Sequence, residues 1–135
     1  MKKLLFSSLL AVLLLNLCVN VSYAQDEKLY DFVSLEKPAM YPGGMAKFYA
    51  FLGKSIIYPK AAVDSKVQGT ANVSFVVEKD GSLTNVKTEG RKLGAGLDEE
   101  AVRVLELSQK WNPGLIKDKP VRVKYNIPIK FSMKK

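Results

Sequence analysis

The 135 residues carry 21 lysines and arginines against 13 acidic residues, a formal net charge of +8, with no histidine and one cysteine. Without histidine the commonest general base and metal ligand is missing, and a lone cysteine cannot form a disulfide within the chain. The length suits one domain with a modest core.

The chain starts with Lys2 and Lys3, runs on through an apolar stretch from Leu4 to Leu17, and presents the small residues Ser22 and Ala24 just before Gln25. That pattern is read as a signal peptide over residues 1–24, cleaved after Ala24. The alternative is an uncleaved helix that anchors the chain in the inner membrane. Leu17 precedes Cys18, where lipidation needs a small residue, so Cys18 belongs to the apolar run. Cleavage would remove Cys18, Lys2 and Lys3, leaving a basic domain without disulfide support. Export argues against nucleic acid as the partner of that basic surplus and favours acidic peptide segments or other anionic envelope components.

Residues 25–40 read as a polar lead-in with a short strand within Leu29–Leu35, ahead of one domain over 41–135. Pro42-Gly43-Gly44 marks a turn. Met45, Phe48, Tyr49 and Leu52 then form the stripe of a short amphipathic helix, which Gly53 can end. Tyr58-Pro59 opens a second helix with Ala61, Ala62 and Val63, stopping near Gly69. The period then changes. Ala71, Val73, Phe75 and Val77 alternate with Thr70, Asn72, Ser74 and Val76, the pattern of a strand with one face buried. Asp80-Gly81 signals a hairpin, and Leu83–Thr88 returns as its second strand.

Leu97, Ala101, Val104, Leu105, Ser108 and Trp111 share one helical stripe, with Asp98, Glu99 and Glu100 in the first turn, where the dipole favours them. The spacing predicts a helix from Leu97 to Trp111, stopped by Asn112-Pro113-Gly114. The last segment puts Val121, Val123, Tyr125, Ile127, Ile129 and Phe131 on odd positions and Arg122, Lys124, Asn126, Pro128, Lys130 and Ser132 on even ones. Such a strand has one apolar and one basic face. Pro128 cannot donate to a ladder, which puts the strand at a sheet edge. The predicted architecture is α+β, a small antiparallel three-stranded sheet with helices packed on one face.

Nothing in the inventory argues for an enzyme. Glu99 and Glu100 are adjacent and would point about 100° apart on a helix. Asp80 is explained by its turn, and no phosphate loop, metal site or cofactor motif is present.

Taken in order, Tyr58-Pro59 with Ala61-Ala62, Gly69, Val73 to Val77, Asp80-Gly81, Asn85-Val86, Leu97 to Ala101 with Arg103, Trp111 with Pro113-Gly114, and Ile127-Pro128-Ile129 with Phe131 form a pattern similar to the TonB C-terminal domain family. Pro42-Gly43-Gly44 with Phe48 and Leu52 resembles the lead-in of Bacteroidetes-type members. Ser108-Gln109 stands where such relatives carry Met-Pro, and Leu115 to Asp118 replaces a glycine-bearing turn. The resemblance implies a periplasmic module that binds the extended TonB-box segment of an outer-membrane receptor, or a component of another envelope complex, by β-augmentation. A full transducer also has an anchor bearing a histidine and a Pro-rich spacer. Neither is present here, so a stand-alone interaction module is expected. The binding edge would be Arg122, Lys124, Asn126, Pro128 and Lys130, with the basic row attracting an acidic segment. Tyr58, Pro59, Gly69, Asp80, Gly81, Leu97, Trp111, Pro113 and Gly114 would be structural. The competing reading is a self-associating envelope component that pairs the same edge into a homodimer.

Overall fold

The computed structural model describes residues 28–31 and 35–133. The expected signal segment, residues 1–24, therefore lies outside the described residues. The elements in order are β1 (Leu29–Asp31), α1 (Met45–Ser55), α2 (Lys60–Asp64), β2 (Gly69–Val77), β3 (Leu83–Glu89), α3 (Leu97–Glu106), β4 (Gly114–Ile116) and β5 (Lys119–Phe131). Among the described residues no helix is long and apolar enough to cross a membrane.

The α+β class holds, but the sheet has five strands, not three, in the order β1-β5-β2-β3 with β4 paired to the start of β5. The antiparallel core of it, β5-β2-β3, is what the alternating segments predicted. β2 and β5 pair over nine positions, from Gly69↔Phe131 to Val77↔Val123. The two added strands are three residues each, too short for their own periodicity to show. β1 lies parallel to β5, pairing Leu29 with Arg122 and Asp31 with Lys124. β4 forms a hairpin with β5 across Lys117 and Asp118, both at positive φ (51° and 63°). Two central residues at positive φ are the signature of the tight turn whose twist matches its flanking strands.

The core joins Phe48 and Leu52 of α1, Ala62 of α2 and Leu97, Ala101, Val104 and Leu105 of α3 to the odd-numbered residues of β2 and β5. Leu97 is fully buried. Two β2 residues expected on the solvent side, Ser74 and Val76, are also buried. β2 is flanked on both sides, and Leu29, Lys87 and Lys124 line the shallow depression beside these two residues. The Ser74 hydroxyl donates to Glu89 at 3.0 Å, which satisfies the buried oxygen.

Two helix boundaries depart from the sequence pattern. α1 runs through Gly53 to Ser55. α3 stops at Glu106, well before Trp111. The Trp111 amide instead donates to the Gly81 carbonyl at 2.8 Å, and Asn112 exchanges a pair of main-chain bonds with Met40. These long-range bonds replace the helical ones that the Trp111 and Asn112 amides would have made. Gly114, expected to stop the helix, opens β4 instead. It is buried so tightly that an added Cβ would lie 2.4 Å from Val123 and 2.7 Å from Leu35.

Candidate protein-interaction edge

The residues read as structural lie as follows. Trp111 is 2% exposed and meets four rings edge-on, Tyr41, Phe48, Phe75 and Tyr125, at centroid distances of 5.2 to 5.8 Å. Edge-to-face geometry is what the ring quadrupoles favour. Its indole N–H donates to the Ser108 hydroxyl at 2.9 Å. The Asp80-Gly81 turn docks against it: Gly81 has φ +88°, and a Cβ there would fall 2.0 Å from the Trp111 carbonyl oxygen. Asp80 accepts from the amide and hydroxyl of Ser82, bonds that hold its carboxyl below the usual aspartate range. Tyr58 donates to the Val67 carbonyl and meets Phe131 edge-on at 6.0 Å. Pro59 caps α2 and lies beside Gly96, while Gly69, at φ +151°, opens β2 in contact distance of Leu93. Pro113 is half-buried next to Gly114.

The acidic first turn of α3 does more than complement a dipole. Asp98 is buried and accepts from the amides of Leu93 and Gly94, closing the loop before the helix. Glu100, also buried, accepts from Nε and Nη2 of Arg103 and from the Ile57 amide, the last at 2.6 Å. Arg103 in turn donates to the Ser55 carbonyl at 3.0 Å. The pair thus ties the α1–α2 connection to α3. Glu100 stays below the ordinary glutamate range, chiefly because of Arg103.

β5 has two different sides. Its odd residues Val123, Tyr125, Ile127, Ile129 and Phe131 are buried, while Lys124, Asn126, Pro128 and Lys130 are exposed and Arg122 is half-buried. Within the plane of the sheet, the β2 register runs unbroken past Asn72↔Pro128. A residue without an N–H fits there only if its nitrogen points away from β2. Main-chain groups alternate along a strand, so those of Asn126, Pro128 and Lys130 also face away from β2. From Asn126 to Phe131, no described strand pairs on that side.

Not all five expected edge residues share that setting. Arg122 and Lys124 lie at the positions that pair with β1, so the lead-in itself covers this end of the edge. Arg122 is also engaged on the face of the sheet, where Glu78 receives its guanidinium through both carboxylate oxygens. That contact lowers the Glu78 pKa, with Arg122 the largest cause. Lys124 and Lys130 make no ion pair among the described residues.

Beside the open stretch lies a groove that sequence reasoning missed. It has a volume of about 390 Å³ and is lined by Tyr49, Leu52, Gly53 and Ile56 of α1 and its exit, by Thr70, and by Pro128, Ile129 and Lys130. The helical stripe placed Tyr49 in the core, yet it is 50% exposed. No local signal marks the groove, since its walls come from segments far apart in the chain.

The domain is thus a small α+β fold with a buried tryptophan cluster and two strand stretches that no described strand flanks on the outer side, β3 and the end of β5. Residues 54–133 match the family described as Gram-negative bacterial TonB protein C-terminal. The chain belongs to that family, whose domains are periplasmic and mediate protein interactions in TonB-dependent transport. Two solution structures of the Helicobacter pylori TonB C-terminal domain are similar to it. One, of residues 179–285, has 26% identity and a TM-score of 0.50, covering 67% of this chain and 81% of that one. The other, of residues 194–285, has 25% identity and a TM-score of 0.51, covering 67% and 95%. Among curated proteins, none matches the sequence.

Proposed function

We propose that this chain is a periplasmic interaction module that takes an extended partner segment as an added strand beside β5. The observation that carries this reading is the side of Asn126–Phe131 turned away from β2, along which no described strand lies. An exposed edge offers main-chain donors and acceptors to any extended segment, giving affinity with loose sequence demands. Family membership points to an outer-membrane receptor or another envelope component as the source of the segment. Residues 1–24 act as a cleaved signal peptide, residues 25–40 as a lead-in, and residues 41–135 as the binding domain. Mass spectrometry of the isolated protein should find Gln25 at its N-terminus, and a species that keeps Met1 would replace export and release with anchoring.

The decisive experiment is crosslinking in intact cells with a photoreactive side chain at Asn126, compared with one at Thr84 on β3. Capture of the same envelope protein from Asn126 but not from Thr84 is expected. Asn126→Pro removes an outward N–H from the open edge and should abolish capture while the fold persists. Unchanged capture by that variant would mean that the edge is not the recognition surface.

A further inference from the structure

We infer that the groove between α1 and the end of β5 is a side-chain pocket for the added strand, and that it selects segments alternating apolar with acidic residues. The inference rests on the strand-addition reading above. Pro128, Ile129 and Lys130 belong both to the groove and to the stretch of β5 whose side away from β2 no described strand covers. A strand laid beside β5 follows its pleat, so its side chains point alternately to the two faces of the sheet. On the helix-covered face they meet Tyr49, Leu52 and Ile56, an apolar wall. On the opposite face they lie beside Lys124, Asn126, Pro128 and Lys130, all exposed. Neither lysine is neutralised within the described residues, and Lys54, at the end of α1, has no ion pair either. Apolar residues on one side and carboxylates on the other complement this surface. A basic segment would meet like charge.

Two further observations favour a pocket. Gly53 sits inside α1, where glycine weakens a helix, and an added Cβ there would meet nothing within 4 Å. The space is open toward solvent and not filled by the core. The family match begins at residue 54, so Tyr49, Leu52 and Gly53 lie outside it. A wall at this place would set a preference that the main-chain edge alone cannot.

The test uses the isolated protein and three synthetic heptapeptides, Glu-Val-Glu-Leu-Glu-Val-Glu, Glu-Ser-Glu-Thr-Glu-Ser-Glu and Lys-Val-Lys-Leu-Lys-Val-Lys, with binding read by fluorescence anisotropy. The apolar acidic peptide should bind about tenfold tighter than the polar acidic one, the least expected from burying one aliphatic side chain. It should also bind tighter than the basic one. Gly53→Gln, which puts an uncharged polar amide into the groove without a clash, should erase the preference for the apolar peptide and leave the polar peptide's affinity unchanged. Tyr49→Ser provides a second variant, and melting curves check that both are folded. If both acidic peptides bind equally, the edge reading stands and the pocket is overturned. If the basic peptide binds as well as its acidic counterpart, the charge selection is overturned. If no peptide binds, strand addition itself fails and the pocket with it.

Discussion

At the scale of single residues, stability is concentrated at Trp111 and at the Glu100–Arg103 pair. Trp111 touches four aromatic rings and is nearly inaccessible. Truncating a buried tryptophan costs about 3–5 kcal/mol, against a total of roughly 5–15 kcal/mol for a domain. Trp111→Ala should therefore lower the melting temperature sharply in a calorimetric scan, and an unaltered scan would show that the ring contributes little. Glu100 makes a different prediction, one in pH. Its folded pKa is depressed, mainly by the Arg103 hydrogen bonds, so its contribution is complete above the unfolded value of about 4.3 and is lost as pH falls through the folded one. Glu78 acts in the same direction through Arg122. Melting temperatures measured from about pH 7 down to about pH 3 should decline in the acid range. Glu100→Gln should melt lower at neutral pH and show a shallower acid decline. A decline as steep as the unaltered protein's would remove Glu100 from the account.

Elements differ in how far their own sequence determines them. Val123 pairs with Tyr30 on one side and Val77 on the other, and its side chain is fully buried. Proline there leaves a ladder partner without its donor, at about 1–3 kcal/mol for the orphaned group alone, and also loses apolar packing. Val123→Pro should thus unfold at distinctly lower denaturant than Asn126→Pro, and the reverse order would invert the assignment of odd and even main-chain groups to the two sides of β5. The odd-even alternation that supports this comparison was legible from Val121 to Phe131 because both faces of β5 have consistent environments along most of its length. The helical stripe was equally legible from Leu97 to Leu105. It failed beyond Glu106, where Trp111 happens to keep helical phase but its amide is bonded to Gly81. β4 could not be read, because three residues carry no period and their pairing depends on a turn of two non-glycine residues at positive φ. β1 was anticipated as a strand, but its parallel position beside Arg122 to Lys124 is a tertiary fact. The same holds for the groove, half of whose wall is the exposed side of a helix expected to face inward at Tyr49.

For the whole molecule, the question is whether the open edge meets another protein or a second copy of this chain. A net charge of +8 works against the second, and removal of residues 1–24 would reduce it only by Lys2 and Lys3. Two copies joined edge to edge would bring Lys124 and Lys130 of each into one continuous sheet, and basic residues on an edge are a recognised guard against such pairing. Repulsion of this kind is exposed and screened by salt, with a Debye length near 10 Å at 0.1 M. An acidic partner has the opposite dependence, since salt weakens the attraction that brings it to the edge. Sedimentation velocity at low ionic strength should therefore give a coefficient that does not rise with protein concentration. Affinity for the apolar acidic heptapeptide should fall as salt is raised from about 0.05 M to about 0.5 M. A coefficient that climbs with concentration, together with peptide affinity indifferent to salt, would reverse the assignment and make the chain a self-associating envelope component whose lysines lie away from the contact.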